Sequence, residues 1–337
     1  MTRFDQEITK KIGEFWDDRF DDRRISQAFR LLKRLAAGRR LPVKGWFLSL
    51  VRSRGTNVGW WHNPFVVRSV NKRICGEAID GRSQGLIRWL RDVYGPLFPL
   101  ENGISVGCGD SSKELLFIKA GIVRRFDLYE LSEKHIEKGR KLSRQENLEE
   151  HMIFHHGNAI EQVQESDVYD FVTWNDALHH MPDTDQALAW SRKVLRSGGI
   201  FALDDFIGAS RFQWPNRQLE TATAIRKAID PKYRAIPQSP WTLLPVEVDR
   251  PSIQYMCETD PSEAADSDQI LPAIRRHFPE ATIRPTGGVV YHLALNPIMH
   301  NFHPRKDRAL LGILMLLDDQ CIVAGDTQYA AAIGQKP

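Results

Sequence analysis

The 337-residue chain carries 46 Lys and Arg against 43 Asp and Glu, four cysteines and 42% hydrophobic residues. This composition excludes disorder, collagen-like repeats and a disulfide-stapled mini-fold, and fits one large domain with additions or two domains. The charge is uneven: residues 1–100 hold 20 basic and 10 acidic side chains, and 14 of the basic ones lie between Arg19 and Arg73.

Such a field can gather an anionic substrate, a nucleic acid or a membrane surface, and it is also what a solvated helical face looks like. The opening residues lack the apolar stretch of a signal peptide, and no apolar run nears the ~20 residues of a membrane span. Cys75, Cys108, Cys257 and Cys321 form no CxxC pair. A cytoplasmic protein is therefore expected.

Taken in chain order, residues 1–98 show helical periodicity, with Ile8, Ile12, Phe15 and Trp16, then Ile25, Phe29, Leu32 and Leu35, and a later stretch Ile79–Val93. They are read as a helical cap or arm. From residue 103 strands alternate with helices. The expected strands are a short one at Gly103, then Arg125–Glu130, Met152–His156, Tyr169–Trp174 and Ile200–Phe206. The expected helices are Ser112–Ala120, Ser132–Gln145 and Asp183–Leu195. Alternation on this scale implies a parallel sheet covered by helices on both faces, with ligands at the carboxyl ends of its strands.

Residues 207–266 break the alternation and hold seven prolines, as expected of an inserted lid. The pattern then predicts a helix at Ser267–His277, a hairpin of strands Ala281–Pro285 and Val289–Leu295 turning at Gly287-Gly288, and a last helix at Lys306–Ala324. The core is thus expected over 99–206 and 267–330.

The clearest chemical signal is Ser105-Val-Gly107-Cys108-Gly109-Asp110-Ser111 between a strand and a helix. Glycines there let backbone approach a ligand and present amides at a helix start. Glu130 closes the next strand, 21 residues after Gly109, where a carboxylate can accept from two ribose hydroxyls. A third glycine at position 112 would signal a dinucleotide; Ser112 stands there, which disfavours a pyrophosphate.

Over residues 100–206 the chain resembles the class I S-adenosylmethionine-dependent methyltransferases. The resemblance rests on Val106-Gly-Cys-Gly-Asp, Tyr129-Glu-Leu-Ser132, His156-Gly-Asn-Ala159, Tyr169-Asp-Phe-Val172, Leu178-His-His-Met-Pro-Asp183 and Leu195-Arg-Ser-Gly-Gly-Ile200, in that order. It implies a Rossmann-like α/β fold: a seven-stranded, mostly parallel sheet with one antiparallel strand, under a helical cap and a lid insertion. It also implies S-adenosyl-L-methionine as cofactor, held by Gly107, Cys108, Gly109, Glu130, Leu131, Asn158, Ala159 and Asn175. Three positions depart from the family pattern. Ser105 replaces an acid, Ser111 a glycine and Asn158 an aspartate.

The LHHMPD segment, with Asp205 26 residues after His179, resembles bacterial sugar and natural-product O-methyltransferases. By that likeness His179 is the general base, Asp205 its orienting or acceptor-binding partner, and His180 a second candidate. Asp204 and Asp205 must point to opposite sides of a strand, so only one faces a given pocket. The expected activity is methyl transfer to a small or medium acceptor, such as a hydroxyl of a saccharide or secondary metabolite. The rivals are a nucleic-acid methyltransferase using the basic first third, and a non-catalytic cofactor-binding protein. His155-His156 and His300-x-x-His303 are read as solvated or core histidines, and no metal site is expected. Trp60, Trp61, Phe212, Trp214 and Trp241 either line an acceptor pocket or pack cap on lid, and Tyr291 and His292 are placed on a late strand.

Overall fold

The computed structural model describes residues 59–236 and 239–337, together with Glu14 and Asp17. Most of the basic 19–73 segment therefore lies outside the described residues, as does nearly all of the helical reading of 1–58.

From residue 59 on, the described residues first form the helices α1 (Pro64–Cys75) and α2 (Gln84–Tyr94). Asn63 caps α1 by accepting from the Phe65 amide, and Gly76 ends it in the left-handed region. The helices cross closely because Gly85 faces Asn71, where a Cβ would stand 2.9 Å from the Asn71 Cα. Only the second coincides with the helical stretch expected at 79–93; α1 begins at a proline, which suits a first helical position.

Five strands follow with helices between them: β1 (Leu100–Val106), α3 (Ser112–Lys119), β2 (Val123–Glu130), α4 (Glu133–Gln145), β3 (Met152–His156), β4 (Tyr169–Asn175), α5 (Thr184–Val194) and β5 (Leu195–Phe206). Beyond them lie α6 (Asn216–Ala228), a small hairpin β6–β7 (Ala235–Ile236 and Ser239–Leu243), α7 (Ile253–Thr259) and α8 (Ile270–His277). The chain ends in β8 (Thr282–Gly287), α9 (Arg308–Val323) and β9 (Tyr329–Gln335).

The main sheet has seven strands in the order β3-β2-β1-β4-β5-β9-β8. Neighbours are parallel from β3 to β5, and β9 runs antiparallel to both β5 and β8. This is the expected seven-stranded α/β fold with one antiparallel strand. Strand alternation divides the apolar residues between two cores. Phe171, Ile200 and Ala202 face one with α1, α2 and α9, while Val172, Trp174, Phe201 and Leu203 face the other with α5 and α8. The strand order reverses between β1 and β4, which places a crevice over their carboxyl ends.

The expected hairpin at 281–295 is not formed. Residues Val289–Ala294 are π-helical, and the partner of β8 is the C-terminal strand β9, which runs past the expected core boundary at 330. Two side chains stabilise the π turn. Asp318, fully buried, accepts from the amides of Gly288 and Val290, and the Arg226 guanidinium donates to the carbonyls of Leu293 and Ala294. Gly287 holds φ +89, and a Cβ there would meet the Asp318 carboxylate at 2.0 Å. Tyr291 is consequently core: it is fully buried, and its hydroxyl donates to the Thr286 carbonyl. Among the described residues no helix is long and apolar enough to cross a membrane.

Candidate active site

The crevice at the strand switch is a cleft of about 1390 Å³ lined by residues of the β1, β2, β3 and β4 ends. Its floor is the loop after β1. Gly107 and Cys108 donate their amides to the Tyr129 carbonyl, and Gly107, Gly109 and Ser111 all hold positive φ, at +63, +58 and +57. The position where the family pattern has its last glycine is thus a left-handed one, held here by a serine. A Cβ on Gly109 would project into open space. Backbone is therefore exposed to whatever occupies the cleft.

Glu130 closes β2 opposite this loop. Its Oε2 accepts from the Gly109 amide at 2.8 Å, and its Oε1 accepts from Leu131 and Ser132 at 2.8 and 2.9 Å. Oε2 keeps one acceptor direction beyond that amide. His135 stands 4.0 Å from Glu130, and burial lowers its pKa despite that neighbouring charge. Asp17 reaches the same strand end, accepting from the Ser132 hydroxyl at 2.7 Å.

Ser105 donates to Glu114 Oε1 at 2.8 Å beneath the loop, and burial raises the Glu114 pKa. The acid expected before the glycines has thus a counterpart one helical turn into α3. Asn158 accepts from the Ile160 amide and donates to Glu161, so it caps a single helical turn at the edge of the cleft. Of the residues carried over for the cofactor, Gly107, Cys108, Gly109, Glu130, Leu131 and Asn158 line the cleft. Ala159 and Asn175 do not: Ala159 is fully buried in the core, and Asn175 donates to the Ser83 hydroxyl while its carbonyl accepts from Lys113.

The far end of the cleft is built by the turn after β4. Asp205 is fully buried and accepts four hydrogen bonds, from the amides of Ala177, Leu178 and Phe206 and from His179 Nδ1 at 2.5 Å. It anchors this turn and orients the His179 ring, with none of its own surface exposed. Burial works against a charge on His179, but the Asp205 carboxylate outweighs it, with Glu263 and Asp176 adding, and lifts its pKa to about 9. His180 lines the cleft, and its Nδ1 lies 3.2 Å from the Ser262 hydroxyl.

Asp204 points to the opposite side of the sheet, as alternation requires. Burial and the charges of Asp176 and Asp205 raise it to about 7, against the pull of Arg82 and Lys113. Burial would raise Asp176 too, yet the ion pair with Arg82, and Lys113 at 3.5 Å, hold it at about 2. Arg82 in turn lies over the Trp61 ring, 5.5 Å from its centroid.

Arg82, Lys113, Asp176, His135 and Glu263 escaped the reading of the sequence. Lys113 carried a usable signal, since it follows the glycine loop at a helix start; the others meet only through the fold. Trp60 is buried against Tyr291 and Tyr329, Phe212 stacks on Trp214, and Trp241 is exposed. His155 stacks on Tyr129 and pairs with Asp127, and His303 accepts from the amides of Arg305 and Lys306.

Residues 100–236 match the family model described as a methyltransferase domain. It is 28% identical over 121 residues to the 27-O-demethylrifamycin SV methyltransferase of Amycolatopsis mediterranei, covering 35% of this chain and 44% of that protein. It is 31% identical over 100 residues to the demethylmenaquinone methyltransferase of Halalkalibacterium halodurans, covering 29% and 40%. The matched stretch spans less than half the length of these curated relatives. Among solved structures, the geranyl diphosphate C-methyltransferase of Streptomyces coelicolor covers 75% of each chain at 12% identity and a TM-score of 0.46. The phosphoethanolamine N-methyltransferase 2 of Haemonchus contortus covers 86% of this chain and 59% of its own at 13% identity and a TM-score of 0.48.

Proposed function

We propose that this protein is an S-adenosylmethionine-dependent methyltransferase acting on a small or medium acceptor, with a hydroxyl of a saccharide or secondary metabolite as the group methylated. The observation that carries the reading is Glu130 facing the left-handed Gly107–Gly109 loop across a cleft in a methyltransferase domain. The donor set fits the cofactor. Oε2 of Glu130 has an acceptor direction for a ribose hydroxyl, the Gly109 backbone borders open space, and Leu131 and Asn158 stand at the neighbouring strand ends.

Bound S-adenosylmethionine supplies a methyl group already activated by a positive sulfur. The protein's share is then alignment, exclusion of water and management of the acceptor's proton. His179, held by Asp205, and His180 assist that last task at the end of β4. Within this cradle Cys108 belongs to the loop that lines the cleft, Ala159 is buried next to Asn158, and Asn175 bonds Ser83 and Lys113.

Calorimetric titration of the purified chain with S-adenosylmethionine tests the reading first; saturable heat at one site is expected, and none at high protein concentration would overturn it. Incubation with hydroxylated metabolite mixtures should then yield a product heavier by one methyl group. Binding without any such product would instead favour the non-catalytic cofactor-binding alternative.

A further inference from the structure

We propose that His179, His180 and Glu263 form a binding site for one divalent transition-metal cation of the zinc type, with an open position toward the acceptor. What the cation does there rests on the methyl-transfer reading above; its binding does not.

The three residues come from two segments 83 residues apart, the turn after β4 and the loop after α7. One ring nitrogen of each histidine and one carboxylate oxygen of Glu263 all lie within 4.8 Å of one another. His179 Nε2 stands 3.8 Å from Glu263 Oε1, and the two imidazole centroids are 4.0 Å apart at 39°. Donors bonded to one zinc ion at about 2.1 Å stand roughly 3–4 Å from each other, so the set closes on a cation with small side-chain shifts. Two imidazoles and one carboxylate form the protein share of open, reactive metal sites.

The surroundings fit as well. A ligating imidazole needs an acceptor behind its other nitrogen to fix its tautomer and direction. His179 has Asp205, whose carboxylate is itself held by three backbone amides. For His180 the acceptor is Ser262. The Ser262 hydroxyl gives its proton to Asp260 at 2.8 Å, so it accepts from His180 Nδ1–H and leaves Nε2 as that ring's lone-pair nitrogen. The loop is pinned to the turn by the Ala265 amide donating to the His179 carbonyl at 3.0 Å.

His180 and Ser262 line the cleft, which puts the site at the edge of the space an acceptor would enter. A hydroxyl oxygen bound to the cation would lose its proton more readily. That proton passes to water, and the O–H electron pair stays on the oxygen.

The test uses the full chain, stripped with a chelator and titrated with Co²⁺ while its visible absorption is followed. One Co²⁺ per chain is expected, with the intense bands of a low-symmetry protein site, displaced by Zn²⁺. Glu263→Gln should weaken Co²⁺ binding about tenfold or more, and His180→Gln likewise, with circular dichroism confirming the fold. His300→Gln should leave affinity unchanged. A spectrum that stays that of the aqueous ion, or equal affinity in wild type and Glu263→Gln, overturns the site. Titration of the same stripped protein with S-adenosylmethionine separates the two claims. Co²⁺ uptake without cofactor heat sustains the cation site and removes methyl transfer; cofactor heat with an aqueous Co²⁺ spectrum does the reverse.

Discussion

Ser111 in the glycine loop and Glu130 opposite it show how a single side chain sets local energetics. Ser111 holds φ +57, a conformation that costs an L-residue with a Cβ about 1 kcal/mol and a glycine nearly nothing. Ser111→Gly is therefore expected to raise stability by roughly 0.5–1 kcal/mol in urea unfolding; a loss of stability would mean that the serine is engaged with its surroundings. Glu130 has the opposite character, since one carboxylate accepts from three amides and also faces the cleft. Glu130→Ala should weaken S-adenosylmethionine by about 2–4 kcal/mol in calorimetry and lower the unfolding temperature of the ligand-free chain as well. Unchanged affinity would remove Glu130 from the ribose position.

Between elements, a few buried charges do what apolar packing does not. Arg73, on α1, pairs with the fully buried Asp318 of α9 at 2.7 Å and with Asp319 beside it, and donates to the carbonyls of Thr286 and Met315. Asp318 then accepts from the amides that begin the π turn. One ion pair thus ties α1, α9 and β8 together. Arg73→Met would leave a buried carboxylate without its cation and is expected to cost about 3–5 kcal/mol in chemical denaturation. A double change, Arg73→Met with Asp318→Asn, should recover part of that loss, because the uncompensated charge is then gone.

Across the whole molecule, His292 lies where the π turn, β5 and β9 meet. The Tyr329 hydroxyl lies 3.2 Å from its Nδ1, and Phe206 packs at 5.8 Å between ring centroids. Burial, with the charge of His179 nearby, lowers its pKa from 6.5 to about 4. The unfolded chain binds a proton near pH 6.5 that the folded chain refuses until about pH 4. Stability from His292 is therefore fully present above pH 6.5 and is lost as pH falls through that window, by up to about 3 kcal/mol. His292→Gln should flatten the acid side of the stability profile relative to wild type; identical slopes between pH 6.5 and 4 would show that His292 is protonated in the folded protein.

From residue 100 to 206 the sequence could be read almost element by element. Strand–helix alternation, the glycine loop and Glu130 are short-range features: each is written within one or two turns of chain, and the strands it predicts pair in the expected parallel way. The C-terminal part could not be read so. Val289-Val-Tyr-His-Leu-Ala294 has the β-branched and aromatic content of a strand, yet Asp318 and Arg226, from elements distant in sequence, satisfy its amides and carbonyls and hold it as a helical turn. Tyr329-Ala-Ala-Ala-Ile-Gly-Gln335 carries an alanine run with helical propensity, yet it lies between β5 and β8 because small side chains fit a strand covered on both faces. Glu263 meets the two histidines for the same kind of reason. Local periodicity records what a segment can do alone, whereas hydrogen-bond partners brought from far along the chain decide which of those options survives.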